Sequence, residues 1–402
     1  MAKSRILFLT DHCLTPIENI PNSGILCEGE QVLAIGGASA FAREPGLEII
    51  KLENAYAVPG FIDSHIHGAG GFDSSAAGSE GADINRMCRT LASHGVTTFF
   101  PTIVASSKDS MIRNVAALAK MIESEHDGAD PAGIHVEGPF LSKERRGSQV
   151  ADYLIDIDLG FAREMIAAAN GRMKLLTFAP ELPLAADLIQ LLLENGVIPS
   201  MGHSMANEDE VLRAIDAGAR RCSHIFNGMP QLHQRESTLT TVALTDNRVS
   251  VEMIVDGYHL HPRIVDLVSK LKPKDKLIGV SDAVQPAGLM PSSSERFHLG
   301  SSQIKVEGGM VKDERGIIAG TTMTLETGWH HLINYAKMPA TMAAACFTSN
   351  PAIDLGLITR GELKPGRRAD ISFFECGSNR AVMTVIKGQI RYSAAQGSSG
   401  VA

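Results

Sequence analysis

The stretch Val58-Pro59-Gly60-Phe61-Ile62-Asp63-Ser64-His65-Ile66-His67-Gly68 joins a short apolar run to two histidines at its end. A run of this length and composition predicts a β-strand over residues 58–64. Side chains two positions apart point to the same side of an extended backbone, so His65 and His67 would present their imidazoles together. The stretch therefore predicts a strand whose end could hold a cation between two imidazoles.

The alternation of a short apolar run with a helical pattern recurs from this stretch to about residue 281. The predicted strands cover residues 58–64, 96–103, 133–138, 174–179, 197–202, 221–225, 249–255 and 277–281. Helical patterns cover residues 83–93, 110–123, 161–170, 184–195, 208–217 and 262–271. Near-continuous apolar strands separated by helices are typical of parallel sheets closed into a barrel. We therefore predict an α/β fold, a TIM-like (β/α)8 barrel.

The two ends of the chain have a different character, with short predicted strands separated by turns. These strands cover residues 6–9, 24–28, 32–35, 48–52, 369–374 and 382–387. We predict one small β domain built from residues 1–57 and 356–392, with the catalytic barrel, residues 58–355, inserted between its halves. Residues 300–320 predict a hairpin after the eighth strand, and the small polar residues 393–402 predict a flexible tail.

Histidines and acids lie at or just after the ends of several predicted strands. In addition to His65 and His67, these are Glu137, His203, His224 and Asp282. Barrel enzymes place their catalytic groups at the C-terminal ends of the strands. Imidazoles and carboxylates together are the ligands of zinc-like or iron-like catalytic sites. One histidine alone would be weak evidence, but the joint pattern predicts a metal site.

Composition excludes several classes of partner. The 402 residues include 37 Lys and Arg against 45 Asp and Glu, a net charge of −8, which argues against binding to nucleic acid or to an anionic membrane. No apolar run approaches the roughly 18 residues of a membrane span. The six cysteines form no C-x-x-C pair and indicate a reduced, cytoplasmic protein.

Several segments, in order over nearly the whole chain, resemble those of a known family. They cover residues 59–68, 95–98, 101–102, 135–140, 202–204, 223–229, 256–259, 281–283, 319–321 and 350–352. The chain resembles the amidohydrolase superfamily and, within it, the family of N-acetylglucosamine-6-phosphate deacetylases. The segments Glu137-Gly138-Pro139-Phe140 and His224-Ile225-Phe226-Asn227 are specific to this branch.

The resemblance implies a barrel with a small β-sandwich formed by both termini. It also implies that Glu137, His203 and His224 hold the principal metal ion, with Glu137 in place of the modified lysine of many relatives. Because the chain retains His65 and His67, a second ion is possible. Zinc is favoured by these ligands, and iron, cobalt or manganese would also suit them.

The substrate-binding residues implied by the resemblance lie in the loops after the strands. They are Ser148, Gln149, Asn227, Gly228, Arg235, His259 and Ile318. In relatives the arginine and the histidine serve phosphate recognition, partly across the interface of a homodimer. Two departures affect this side of the site, because Gln149 replaces a histidine and Arg235-Glu236-Ser237-Thr238 replaces an Arg-Glu-Pro-Gly turn.

The expected reaction is removal of the acetyl group from an N-acetylated hexosamine 6-phosphate, with N-acetylglucosamine 6-phosphate favoured. A divalent ion polarises the amide carbonyl and makes hydroxide available near neutral pH, and Asp282 acts as general base and acid. The alternatives are the same chemistry on N-acetylgalactosamine 6-phosphate, on an unphosphorylated N-acyl sugar or on a cyclic amide. A non-catalytic scaffold that kept the barrel is the alternative from a different class. A nucleotide enzyme is disfavoured because the sequence has no G-x-x-x-x-G-K-[ST] motif.

Overall fold

The structure is a computed structural model, and it describes residues 5–41, 47–292, 294–378 and 380–394. The strands in chain order are β1 (Arg5–Leu14), β2 (Asn19–Glu28), β3 (Gln31–Gly37), β4 (Glu48–Pro59), β5 (Phe61–Ile66), β6 (Gly68–Ala69), β7 (Phe72–Asp73), β8 (Val96–Val104), β9 (Asp130–Pro131), β10 (Ile134–Glu137), β11 (Met173–Phe178), β12 (Ile198–Met201), β13 (Arg221–Cys222), β14 (Ser250–Ile254), β15 (Leu277–Val280), β16 (Phe297–Leu299), β17 (Ser302–Glu307), β18 (Met310–Asp313), β19 (Ile371–Glu375), β20 (Ala381–Ile386) and β21 (Gln389–Ser393). The α-helices are α1 (Asn85–Ala92), α2 (Lys108–Ile122), α3 (Leu159–Ala168), α4 (Ala185–Glu194), α5 (Glu208–Ala217), α6 (Leu239–Thr245), α7 (Pro262–Leu271), α8 (Leu325–Ala336), α9 (Ala340–Ala345) and α10 (Ser349–Asp354).

Within the described residues, eight parallel strands form the barrel, in the order β5, β8, β10, β11, β12, β13, β14 and β15. Main-chain hydrogen bonds bridge the seam between β15 and β5. The amide of Asp282, just after β15, donates to the carbonyl of His65 in β5 over 3.0 Å. The segment between α9 and α10 bridges the rest of the seam, since the amide of Gly279 donates to the carbonyl of Cys346 and the amide of Ile62 donates to the carbonyl of Phe347, each over 2.8 Å. The predicted α/β barrel is confirmed.

Both termini contribute to a second, mixed sheet outside the barrel, in the strand order β21, β20, β19, β4, β1, β2 and β3. Strand β4 pairs in parallel with β1 and antiparallel with β19, which joins the two ends of the chain. Phe8 packs on Phe373 with ring centroids 5.3 Å apart, in an apolar cluster separate from that of the barrel. This separate core supports the predicted domain bounds, which remain a proposal. Residues 395–402 of the predicted tail lie outside the described residues.

The first predicted strand, residues 58–64, crosses the boundary between the terminal sheet and the barrel. Strand β4 of the terminal sheet continues to Pro59, and the barrel begins only at β5. Between them, the amide of Gly60 donates to the carbonyl of Asp370 over 2.9 Å. A Cβ atom at Gly60 would lie 2.2 Å from the side chain of Thr97, so the chain passes there too closely for any other residue.

Several helices follow the sequence pattern closely, whereas α6, α8, α9 and α10 are not among the six predicted helical patterns. Helices α5 and α7 have the predicted bounds, and the remaining predicted helices end within two residues of expectation. Helix α6 was not predicted, because Leu-Thr-Thr-Val-Ala-Leu-Thr is rich in β-branched residues that disfavour helix. The predicted hairpin is present as β16, β17 and β18. Among the described helices, none has both the length and the apolar character needed to cross a bilayer.

Candidate metal centre

The six predicted metal-binding and catalytic groups meet at the C-terminal end of the barrel. His65 lies in β5 and Glu137 ends β10, and the others follow the ends of their strands. All six are buried, with exposed fractions from 0 to 8%. The six residues are His65, His67, Glu137, His203, His224 and Asp282. Residues up to 217 positions apart in the chain, 65 to 282, thus share one region of the barrel.

The imidazole nitrogens converge on two carboxylates. Glu137 Oε1 lies 2.9 Å from His224 Nε2, 3.1 Å from His203 Nε2 and 3.4 Å from His65 Nε2. Asp282 Oδ1 lies 3.2 Å from His67 Nε2 and 3.6 Å from His65 Nε2. Two sets of three residues have ligand atoms that all lie within 4.8 Å of one another. These sets are His65, Glu137 and His224, and His65, His67 and Asp282.

Hydrogen bonds orient three of these imidazoles. Nδ1 of His65 lies 2.9 Å from Glu252 Oε2, Nδ1 of His67 lies 3.2 Å from the carbonyl of Thr102, and Nδ1 of His203 lies 2.8 Å from the carbonyl of Arg145. Because a carboxylate or carbonyl oxygen only accepts, each Nδ1 carries the proton and donates it.

With Nδ1 protonated, Nε2 of each ring faces a carboxylate oxygen, and a neutral ring would direct a lone pair toward it. Such a contact is repulsive unless a proton or a cation lies between the two atoms. His65 Nε2 is buried and has no hydrogen-bond partner in the described structure. This arrangement of donors fits a divalent cation, for which neutral imidazole and carboxylate are the usual ligands.

The charges of the cluster favour ionised carboxylates. Burial disfavours the Glu137 carboxylate, but the interactions with His203, His224 and His65 outweigh it and hold the pKa of Glu137 well below its usual value. Burial likewise opposes ionisation of Asp282, whereas His67 and His65 lower its pKa below the usual value. Both acids can therefore serve as ligands or proton acceptors near neutral pH.

Three residues of the cluster have a left-handed backbone just after their strands end. The φ angles are 47° at His203, 23° at His224 and 50° at Asp282. This conformation is uncommon for residues other than glycine and costs on the order of 1–3 kcal/mol at each position. Strained residues of this kind concentrate at functional sites, which supports the assignment of the cluster as one.

Gly228 leaves the space that the ring of His203 occupies. It has a φ of 61°, and a Cβ atom there would lie 2.6 Å from His203 Nδ1 and 2.9 Å from the carbonyl oxygen of Arg145. Any larger residue would displace the hydrogen bond that orients His203. Gly228 therefore shapes the metal side of the site in addition to lining the cavity.

A cavity of about 380 Å³ opens above the cluster. Its lining includes all but one of the predicted substrate-binding residues: Ser148, Gln149, Asn227, Gly228, His259 and Ile318. Arg235 is exposed on the loop after β13 and does not line the cavity. The sequence did not predict Leu299, Gly316, Ile317 and Gly320, which also line it. These residues belong to the hairpin or follow it. The sequence already placed the hairpin after the eighth strand, and that position could have indicated that it lies beside the cavity.

Two predicted substrate-binding residues have defined hydrogen bonds. Gln149 Oε1 accepts from the amide of Ala105 over 3.0 Å, so its Nε2 faces Glu137 and donates to Glu137 Oε2 over 2.8 Å. Nδ1 of His259 lies 2.8 Å from Asp256 Oδ2. Burial lowers the pKa of His259, but Asp256 raises it more, and the net shift is upward. The upward shift of this pKa favours the protonated imidazole beside the cavity, a form that suits an anionic ligand.

Relatives of known function agree with this geometry. Residues 56–391 match the amidohydrolase family. The chain belongs to that family. It is 32% identical to N-acetylglucosamine-6-phosphate deacetylase of Vibrio furnissii over 366 residues, 90% of this chain and 89% of the relative. It is also 27% identical to N-acetylgalactosamine-6-phosphate deacetylase of Escherichia coli O157:H7, over 91% of this chain and 96% of the relative.

A solved amidohydrolase of the same branch has the same fold. The structure of N-acetyl-D-glucosamine-6-phosphate deacetylase from Mycobacterium smegmatis, in complex with N-acetyl-D-glucosamine 6-phosphate, superposes with a TM-score of 0.89 at 30% identity. It covers 97% of this chain and 100% of that one. The predicted family and the predicted amide hydrolase activity are confirmed. The family is metal-dependent, and the buried cluster holds the candidate ligands.

Proposed function

We propose that this amidohydrolase removes the acetyl group from an N-acetylated hexosamine 6-phosphate, and that N-acetylglucosamine 6-phosphate is the favoured substrate. The observation on which this depends is the convergence of four histidines on Glu137 and Asp282 at the floor of the cavity. A cavity of about 380 Å³ is within the range of small-molecule sites. The deacetylase relatives supply the substrate class.

The proposed cofactor is a divalent metal, with zinc favoured over iron, cobalt and manganese. Glu137, His203 and His224 would hold the principal ion. The second set, His65, His67 and Asp282, supports a second one. When bound, the cation would polarise the amide carbonyl and lower the pKa of water toward about 7.

The chain's own groups would orient the substrate and move the proton. Asp282, ionised near neutral pH, would accept a proton from the attacking water and pass it to the departing nitrogen. Gln149 would keep the Glu137 carboxylate in place through its 2.8 Å hydrogen bond. Leu299, Ile317 and Ile318 would exclude bulk water from the cavity.

Cationic side chains at the mouth of the cavity support a phosphorylated substrate. An adjoining cleft is lined by Lys143, Arg145, Arg146 and Arg315 together with Glu144, and it shares Gly147, Gly228 and Ile317 with the cavity. Arg315 is paired with Asp313 at 2.7 Å, but the cations still outnumber the acids there and locally oppose the net charge of −8. Arg235 and His259 remain the proposed phosphate contacts. Because Arg235 does not line the cavity of its own chain, its exposed position supports a homodimer in which it reaches a second copy.

The galactosamine epimer is the second candidate substrate, on the basis of the Escherichia coli relative. The unpaired state of all six cysteines, each of which lies in the described residues, supports the proposed cytoplasmic location.

A substrate screen after metal reconstitution tests the proposal. Metal-depleted protein is loaded in turn with zinc, iron(II), cobalt or manganese, and acetate release is measured from both N-acetylhexosamine 6-phosphates and from both sugars without phosphate. We expect removal of the phosphate to lower kcat/KM by about 10²-fold or more, since charge-assisted contacts are lost.

Other outcomes of the screen would change the assignment. Equal turnover without phosphate, or an unchanged kcat/KM in the Arg235→Ala, His259→Ala double variant, would remove phosphate as the recognised group. Hydrolysis of a cyclic amide in a parallel ring-opening assay, with no acetate released from any of the four sugars, would reassign the substrate. No turnover with any metal would favour the non-catalytic scaffold.

A further inference from the structure

A buried group of charged residues lies behind the candidate metal centre. These residues are part of neither the sequence predictions nor the proposed mechanism. Arg221, in β13, is fully buried in the barrel. Its guanidinium donates to Glu252 Oε1 over 2.8 Å and also bonds to Asp354 and to Ser64. Glu252, in β14, is also fully buried. A buried arginine with two carboxylate partners is an arrangement that pure packing would not require.

The two oxygens of Glu252 have different partners. Oε1 accepts from Arg221, whereas Oε2 lies 2.9 Å from His65 Nδ1 and accepts from the backbone amide of His224 over 3.1 Å. Glu252 therefore contacts two candidate ligands on their far side while taking no part in the lining of the cavity. Asp354 contacts Arg221 from the other direction, at the end of α10.

We propose that Glu252, anchored by Arg221, is a positioning residue that prepares His65 to bind metal. A carboxylate at Nδ1 holds the proton there, presents Nε2 as the donor atom and raises its basicity. The charge balance supports this role. Two carboxylates share one guanidinium, so the group has an excess negative charge that faces the imidazole of His65. The inference rests on the metal-dependent function proposed above.

Glu252 and Asp354 offer a matched pair of substitutions. Glu252→Gln and Asp354→Asn each remove one negative charge from Arg221, but only Glu252 contacts a candidate ligand. A purely structural ion group would respond to both changes in the same way. A positioning role predicts that only Glu252→Gln alters metal binding.

The test measures zinc affinity by competition with a chromophoric chelator, without substrate, together with the Tm of the metal-free proteins. We expect both variants to have a lower Tm than the parent. We expect Glu252→Gln to weaken zinc binding by about 10- to 100-fold and Asp354→Asn to change it by less than about 3-fold. Parental zinc affinity in Glu252→Gln, or an equal loss in both variants, would overturn the proposal.

A second variant covers the case in which Glu252→Gln does not fold. Glu252→Asp keeps the charge that Arg221 requires but shortens the side chain by one methylene, which withdraws the carboxylate from His65. We expect a several-fold loss of zinc affinity in this variant, and parental affinity would overturn the proposal. Because the measurement needs no substrate, a wrong substrate assignment would leave its result unchanged.

Discussion

At the scale of single residues, Asp282 is the proposed proton-transfer group, and its surroundings differ from those of Glu137. It lies 3.2 Å from His67 and lines the cavity, whereas Glu137 has both oxygens near histidines or Gln149. The left-handed backbone at Asp282 directs the chain back across the barrel seam, where its amide bonds to the carbonyl of His65.

Substitution of Asp282 by asparagine removes the proton acceptor while preserving the shape of the side chain. We expect Asp282→Asn to lower kcat by about 10²- to 10⁴-fold, the usual contribution of general acid–base catalysis. The principal ion, which we propose is held by Glu137, His203 and His224, should remain. Metal content and kcat are measured on the same preparation. Normal metal content with near-normal kcat would remove Asp282 from proton transfer, and loss of all metal would make it a ligand first.

Residues that touch the reaction centre were easier to predict than residues that act through them. Barrel geometry brings strand ends together, and six groups lie at or just after the ends of predicted strands: His65, His67, Glu137, His203, His224 and Asp282. Glu252 gave no such signal, because it lies in the middle of β14 among apolar residues. The partner of Gln149 was also not predictable, since the contact with Glu137 depends on how the loop after β10 returns.

At the scale of elements, a hydrogen-bonded pair joins the end of one helix to the start of another. His94 follows α1, and its Nδ1 lies 2.6 Å from Glu326 Oε1 in the first turn of α8. Burial lowers the pKa of His94, but the hydrogen bond and charge of Glu326 raise it more, so the net shift is upward. The pair thus links two helices that are more than 230 residues apart in the chain.

The stability due to this pair should depend on pH. Since the pKa of His94 is higher in the folded state, its contribution is complete below the unfolded value of about 6.5 and is lost as pH rises through the folded value. We expect a coupling free energy of up to about 1 kcal/mol at pH 5.5 that declines as the pH is raised from there into the alkaline range. A double-mutant cycle with His94→Gln and Glu326→Gln, measured by denaturant unfolding, checks this. A coupling that stays constant over this pH range would contradict the prediction.

At the scale of the whole molecule, Asp130 connects the barrel to the terminal sheet. It pairs with the first part of β8 at the N-terminal end of the barrel, away from the metal centre. Its carboxylate lies 2.8 Å from Arg360, 2.8 Å from Arg368 and 3.2 Å from Lys387. Burial would raise the pKa of Asp130, but these three cations lower it to about 2.

Removal of the Asp130 charge would leave three cations together in a mostly buried position, with Asp370, at 2.6 Å from Arg368, as the remaining acid paired with one of them. We expect Asp130→Asn to lower the free energy of unfolding by about 3–5 kcal/mol. Lys387→Met is the matched control, and it should cost less because Arg360 and Arg368 still neutralise Asp130. Because the pKa is depressed on folding, the stabilisation is present above about pH 4 and is lost as pH falls toward 2.

Thermal unfolding of both variants, with metal bound, measures this effect. Well below Tm, kcat should remain that of the parent because Asp130 lies at the opposite end of the barrel from the cluster. An unchanged Tm in Asp130→Asn would show that the charges do not hold the two sheets together.

The sequence by itself determined the fold class and the set of candidate metal ligands. Near-continuous apolar strands, helical periodicity and the position of histidines after strands are local properties, and each can be recognised without knowing the neighbouring chain. The tertiary structure alone decided that Arg235 lies outside the cavity, that Gln149 binds Glu137, and that Glu252 and Arg221 support His65. These contacts join residues from different strands and loops, and their distances depend on how the whole barrel closes.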